Sequence, residues 1–171
     1  YGVCVNGRIS SGTSVSPFNP PEVGCGTGSS VIIGEQEWMS QNLNVDHFQN
    51  GDIIPEAKTE EEWRKAGENK QPAWCYYEND PKNGEKYGKL YNWYAVAGIH
   101  DNEVTTPNKE FAPEGWHVPT DAEWSTLENH LIATGYNYDG TTTEDKIAKS
   151  MAATTGWDER TDEGVPGNNS I

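Results

Sequence analysis

The segment Ala112-Pro113-Glu114-Gly115-Trp116-His117-Val118-Pro119-Thr120-Asp121-Ala122-Glu123-Trp124 constrains the fold more than any other part of this chain. Gly115 before an indole marks a turn that feeds a short extended piece. Pro119 lacks the N–H a sheet needs and ends it. Thr120 and Glu123 then form a Thr-x-x-Glu capping box, which predicts a helix over 121–133. Trp124, Leu127 and Leu131 recur at i, i+3 and i+7 and give that helix one apolar face. A strand, a stop, a capped helix and a buried indole in so short a stretch make a packing device, not a catalytic one.

Length and composition fit one domain with an extension: 171 residues and 18.9 kDa. Only 33% of the residues are hydrophobic and the mean hydropathy is −0.84, so the 7 Trp and 8 Tyr must supply much of the buried area. Eighteen Gly and ten Pro predict many turns and few long helices. The net charge of −15 repels phosphate backbones and argues against nucleic acid. It favours solubility outside cells and is compatible with divalent cations. No apolar run is long enough to span a bilayer. The first residue is Tyr1, so a processed N-terminus or a start within a longer protein is expected.

Residues 1–28 are dense in Gly, Ser and Pro and read as an extended arm or linker, with the domain proper over 29–171. Val31-Ile32-Ile33 predicts a strand, Gly34 a turn, and Glu37-Trp38-Met39 the strand's continuation. Thr59 to Ala66 predicts a capped two-turn helix. Pro72 to Tyr77 reads as a strand with alternating aromatics, and Asn79 to Gly84 as a turn cluster. Leu90 to Val96 is strongly apolar, and its local pattern allows strand or helix. Residues 98–110 are a polar excursion, 135–140 a loop, and 144–153 a helix with Ile147, Ala148 and Met151 inward.

Three blocks carry a resemblance. They are Ile32-Ile33-Gly34-Glu35-Gln36-Glu37-Trp38-Met39-Ser40-Gln41-Asn42-Leu43-Asn44-Val45, then Tyr87-Gly88-Lys89-Leu90-Tyr91-Asn92-Trp93-Tyr94-Ala95-Val96, then the Trp116–Trp124 segment. In this order they resemble the Fibrobacter succinogenes major paralogous domain, a family of bacterial surface and secreted modules, over about Val31 to Trp157. The family looks related to the C-type-lectin-like fold shared with formylglycine-generating enzymes. The resemblance implies an α+β, C-type-lectin-like fold with short twisted antiparallel strands, two or three short helices and long loops. It also implies that Leu90–Val96 ends as a short helix. Family members usually continue past this point to a closing strand that pairs with the first one. The chain therefore reads as lacking its C-terminal closing part, with Val31–Ile33 as an apolar edge or paired by a second chain.

The candidate sites divide by chemistry. Trp38, Trp93, Trp116 and Trp124 lie in the three blocks and read as structural core, although indole faces also stack on sugars. Loop aromatics Tyr76, Tyr77, Tyr136, Tyr138 and Trp157 are the ligand candidates. Asn137, Asp139, Thr141 and Glu144 alternate oxygens around Gly140 like a fragment of a calcium loop without the full EF-hand spacing; the alternative is capping of the next helix. In an exported protein Cys4 and Cys25 would close a disulfide loop of about 20 residues. Cys75 is then a buried free thiol or the mate of a cysteine outside the chain. The resemblance's enzymes use two late cysteines that this chain lacks, and the histidines show no metal-ligand spacing. The expectation is a non-catalytic extracellular or cell-surface bacterial module for adhesion, binding glycan or another surface protein, with Ca²⁺ the sole cofactor considered. The rival is a component or cargo of a larger assembly, such as a secretion substrate, surface filament or phage virion protein. A divergent formylglycine-type enzyme is the minor alternative.

Overall fold

The computed structural model describes residues 5–6 and 30–152. They fall into two units, one ending at Pro119 and one starting at Thr120. The architecture is mixed α and β, with short antiparallel strands and few helices.

The first unit is built on a four-stranded sheet, ordered β2-β3-β1-β6. Strands β2 (Ser30–Ile33) and β3 (Gln36–Met39) form a hairpin in the register Val31↔Trp38 and Ile32↔Glu37. Gly34 turns between them with φ +63°, a conformation that an L side chain rarely adopts. The expected arm contributes a strand of its own: β1 (Val5–Asn6) pairs antiparallel with β3 on one side and with β6 (Trp116–His117) on the other. The boundary at residue 28 therefore cuts through the sheet, which sequence could not show because a two-residue strand has no periodicity. β2 is paired by β3 and stands at the sheet's edge, with Ile32 69% exposed. The expected closing segment lies outside the described residues.

Beyond the sheet, local signals set the helices. Thr59 caps α1 (Glu60–Glu68) by accepting from the Glu62 N–H at 3.2 Å, and the i,i+4 pairs Arg64–Glu68 and Lys65–Glu61 line its exposed side. The expected turn cluster is instead a helix. Asp80 caps α2 (Pro81–Tyr87) and Pro81 sits in its first turn, where a missing N–H costs nothing. Gly84 inside it is required by packing, since a Cβ there would lie 2.3 Å from the Tyr76 ring. The strand expected over 72–77 shortens to β4 (Trp74–Cys75), paired with β5 (Leu90–Tyr91), and a 3₁₀ turn follows at Tyr77–Asn79. Next comes the four-residue α3 (Trp93–Val96).

The core joins the first two blocks. Leu43, Phe48, Ile54, Trp74, Ala95, Phe111 and Ala112 are buried together, with Tyr91 and Trp116 packed against them. Tyr91 meets Phe111 edge-to-face at 4.8 Å and donates its hydroxyl to the Val45 carbonyl at 2.7 Å. Asn42 donates to the Tyr87 carbonyl at 2.9 Å, and Gly88, with φ +68°, lets the Leu43 carbonyl approach. Asn92 locks the next turn: its Oδ1 accepts from Ala73 and Ala95 N–H, and its Nδ2 donates to the Gln71 carbonyl.

That lock overturns the core assignment of Trp93. With Tyr91 and Ala95 facing inward, Trp93 points out and is 68% exposed. Trp38 is 3% exposed, Trp116 is half-buried against the core, and Trp124 is half-buried in the second unit.

In the second unit, α4 (Asp121–Ala133) starts at the expected capping box. The Glu123 N–H donates to Thr120 Oγ1 at 3.3 Å, and the Thr120 N–H donates to Glu123 Oε2 at 2.8 Å. Leu127 and Leu131 are buried. The final helix shrinks to α5 (Ala148–Met151). Ile147 is buried just before it, whereas Ala148 and Met151 are exposed, contrary to the inward face expected. Glu144 takes φ +62°, which no helix start tolerates. No helix of the described residues is long and apolar enough to cross a membrane.

Candidate functional site

Two irregular segments of the first unit meet to form a shallow recess. One is the turn after Asp46, anchored by buried Phe48 and Ile54. There Phe48 N–H donates to the Asp52 carbonyl, Gly51 N–H to Phe48, and Ile54 N–H to Asp46. The other is the 98–110 excursion, pinned at both ends. At one end Gly98, with φ +69°, accepts from the Lys109 N–H at 2.9 Å, and at the other Phe111 and Ala112 enter the core. Gln49 ties the two together by donating its N–H to the Glu110 carbonyl at 2.9 Å. The recess has a volume of about 440 Å³ and is lined by Gln49, Asn50, His100, Asn108, Lys109 and Glu110, with the Pro107 ring as its apolar wall.

Its charges are organised in pairs. Lys109 Nζ lies 2.8 Å from Asp52 Oδ2 and 5.4 Å from the Phe48 ring centre. Asn50 donates to the same carboxylate oxygen at 2.9 Å. The Lys109 bond first, then the Asn50 bond, hold the Asp52 carboxyl below the usual carboxylate range. The His100 Nδ1 donates to the Gly98 carbonyl at 3.2 Å, and its Nε2 lies 3.7 Å from Asp101 Oδ2. Asp101 is itself lowered, chiefly by the Glu103 N–H. Amides, an ammonium and a carboxylate around a proline ring offer donors and acceptors in several directions, suited to a polar, hydroxyl-rich ligand.

The aromatic candidates do not gather there. Tyr76 packs: its ring meets Trp74 edge-on at 5.1 Å and lies on Gly84. Tyr77 is exposed and stacks edge-to-face on Tyr87 at 6.0 Å. Tyr136 and Tyr138 are exposed in the second unit. Trp157, Cys4 and Cys25 lie outside the described residues. Cys75 carries no disulfide and is half-buried, which pushes its thiol up.

The candidate calcium loop is organised by its own lysine. Asn137 is 4% exposed, and its Nδ2 sits among the carbonyls of Thr141, Thr143 and Glu144 at 2.9–3.1 Å, while its Oδ1 accepts from Lys146 N–H. Asp139 Oδ1 accepts from the Thr141 N–H and hydroxyl. Lys146 Nζ lies 2.9 Å from both Asp139 Oδ2 and Glu144 Oε2, so an ammonium occupies the centre where a calcium ion would bring these carboxylates together. The Thr141 hydroxyl, then Lys146, push the Asp139 carboxyl far below its ordinary value, and Glu144 with Asp139 raises Lys146. Asp139 is depressed, so any stability it contributes is present above the ordinary carboxylate range and is lost only in stronger acid. No group of three His, Cys, Asp or Glu side chains with metal-holding geometry occurs among the described residues.

Pairing by residue type along the chain missed His100, Asn50, Asp52 and Lys109. The one signal available was the 98–110 excursion itself, since a long segment without regular structure in a small domain often carries function. The Fibrobacter succinogenes major domain family matches residues 31–171. The chain belongs to this family. No curated protein and no solved structure matches it. Within the Fibrobacter succinogenes major domain, the first two blocks are largely frame, with Lys89, Tyr91 and Asn92 gripping residues 42–45 and 71–73. The recess is built from the segments around those blocks.

Proposed function

We propose that this Fibrobacter succinogenes major domain is a non-catalytic, secreted or cell-surface bacterial binding module that displays its irregular segments to a glycan or a surface protein. One observation carries the reading: family-block residues are spent on the frame, whereas the 98–110 excursion and the Asn50 turn place their polar side chains around an open recess. Asp52 is paired with Lys109 there, and His100 is hydrogen-bonded to the Gly98 carbonyl. That suits holding a ligand more than moving its protons. A C-type-lectin-like fold, in which loops on a rigid scaffold do the binding, would fit the same reading. The charge of −15 suits a soluble exported module.

A glycan array followed by titration calorimetry tests this. Asn108→Ala and Glu110→Ala, both at exposed positions, are expected to weaken binding about tenfold each, the worth of one hydrogen bond. Thermal stability should stay unchanged. No binding to any glycan, together with self-association in light scattering, would favour the second reading, a component of a larger assembly. The exposed edge strand β2 is the observation that favours that reading.

The same reading makes binding independent of calcium, because Lys146 fills the centre of the 137–146 loop. Calcium at millimolar level, or its chelation, is expected to leave the melting temperature unchanged in the parent chain. Lys146→Met would leave Asp139 and Glu144 without their cation, and calcium should then raise the melting temperature of that variant. A calcium-dependent rise in the parent chain would refute the assignment.

A further inference from the structure

Lys89 is the only charged side chain among the buried described residues, at 9% exposure, and its amine is hydrogen-bonded to the side-chain amide of Asn44. Its Nζ lies 3.0 Å from Asn44 Oδ1, 3.3 Å from the Asn44 carbonyl oxygen and 4.6 Å from the centre of the Trp74 ring. We propose that Lys89 and Asn44 form an intramolecular amide cross-link. The Lys89 nitrogen attacks Asn44 Cγ; the new N–Cγ bond forms, the Cγ–Nδ2 bond breaks, and the side-chain nitrogen leaves as ammonia. The amine's proton ends on the leaving nitrogen, so the exchange is redox-neutral and needs no co-reactant.

Three features support it. First, both reacting groups are held in place by contacts other than their own. Asn42 and Val45 are bound to the Tyr87 carbonyl and the Tyr91 hydroxyl, on either side of Lys89, and Gly88 brings the Leu43 carbonyl against the backbone. Such fixed proximity removes most of the entropy cost of an amide exchange. Second, the amine is buried and lies over the Trp74 face beside the core. Asn44 is open to solvent, which gives ammonia an exit. Third, attack needs the neutral amine, and a carboxylate and an imidazole lie on the Asn44 loop. The Asp46 carboxylate, hydrogen-bonded to His47 Nδ1 at 2.5 Å, lies two residues from Asn44. The product would covalently staple the first family block to the second across 45 residues. This inference does not rest on the binding function.

Intact-mass spectrometry of the purified full chain, after incubation at neutral pH, decides it. The expected result is a mass one ammonia below the calculated value and a branched tryptic peptide joining the Asn44 and Lys89 segments. Lys89→Arg, which keeps the cation over Trp74, and Asn44→Ala should each restore the full calculated mass. A parent chain at full mass, with a Lys89 amine that reacts with an acylating reagent after unfolding, would overturn the proposal even if both variants failed to fold. A mass deficit that persists in Lys89→Arg would also overturn it, because ammonia would then be lost elsewhere.

Discussion

Gly98→Ala is expected to cost roughly 3 kcal/mol or more and to abolish the recess, the largest effect of a methyl group added at any glycine among the described residues. The added Cβ would stand 1.9 Å from the Lys109 carbonyl oxygen and 2.7 Å from its nitrogen. Both are backbone atoms, so no side chain can swing aside. The positive φ at Gly98 adds strain of its own. Relief requires the excursion to lift away, which breaks the Lys109–Gly98 hydrogen bond and separates Lys109 from Asp52. The measurement is chemical denaturation of the variant, read beside ligand titration. A variant within about 0.5 kcal/mol of the parent would show that the excursion does not close on Gly98 as described.

The second large effect is Asn137→Asp. The side chain keeps its shape but exchanges two N–H donors for an acceptor, facing the carbonyls of Thr141, Thr143 and Glu144. A carboxylate buried among carbonyl oxygens is repelled, and the carbonyls lose their partner. The expected loss is about 3 kcal/mol, concentrated in the second unit. Hydrogen exchange over 136–147 should accelerate while the sheet's amides stay protected. Asn137→Ala removes the donor without adding charge and should cost less. Equal costs would mean that the amide is not a donor to this loop.

Which parts of this architecture were legible beforehand follows from the range of each interaction. The capping box at Thr120 and Glu123, the α1 cap at Thr59 and the Gly34 turn were readable because each signal and its effect lie within four residues. Asp80-Pro81 was just as local but was misread: a proline after a capping aspartate starts a turn or a helix equally well, and the Tyr76 ring on Gly84 selects the helix. Trp93 failed for a different reason. Its position in a block full of inward residues suggested burial, but orientation is set by how Asn92 grips residues 71–73, which periodicity does not contain. The 137–146 loop had the oxygens of a cation site, and only the fold showed that the Lys146 ammonium lies between Asp139 and Glu144.

Taken alone, the sequence determined the family, the mixed α and β class, and the places where chain direction changes. Those depend on side chains acting on their own or adjacent backbone, through caps, missing N–H groups and allowed φ. The tertiary structure alone decided that Val5–Asn6 enters the sheet and that Gln49 meets Glu110. It also decided that Lys89 lies against Asn44 and that one tryptophan of the blocks faces water. Each of these is a contact between segments distant in the chain. Many alternative pairings of a Gly- and Pro-rich chain satisfy the same local rules, and the one adopted buries Phe48, Trp74 and Phe111 together.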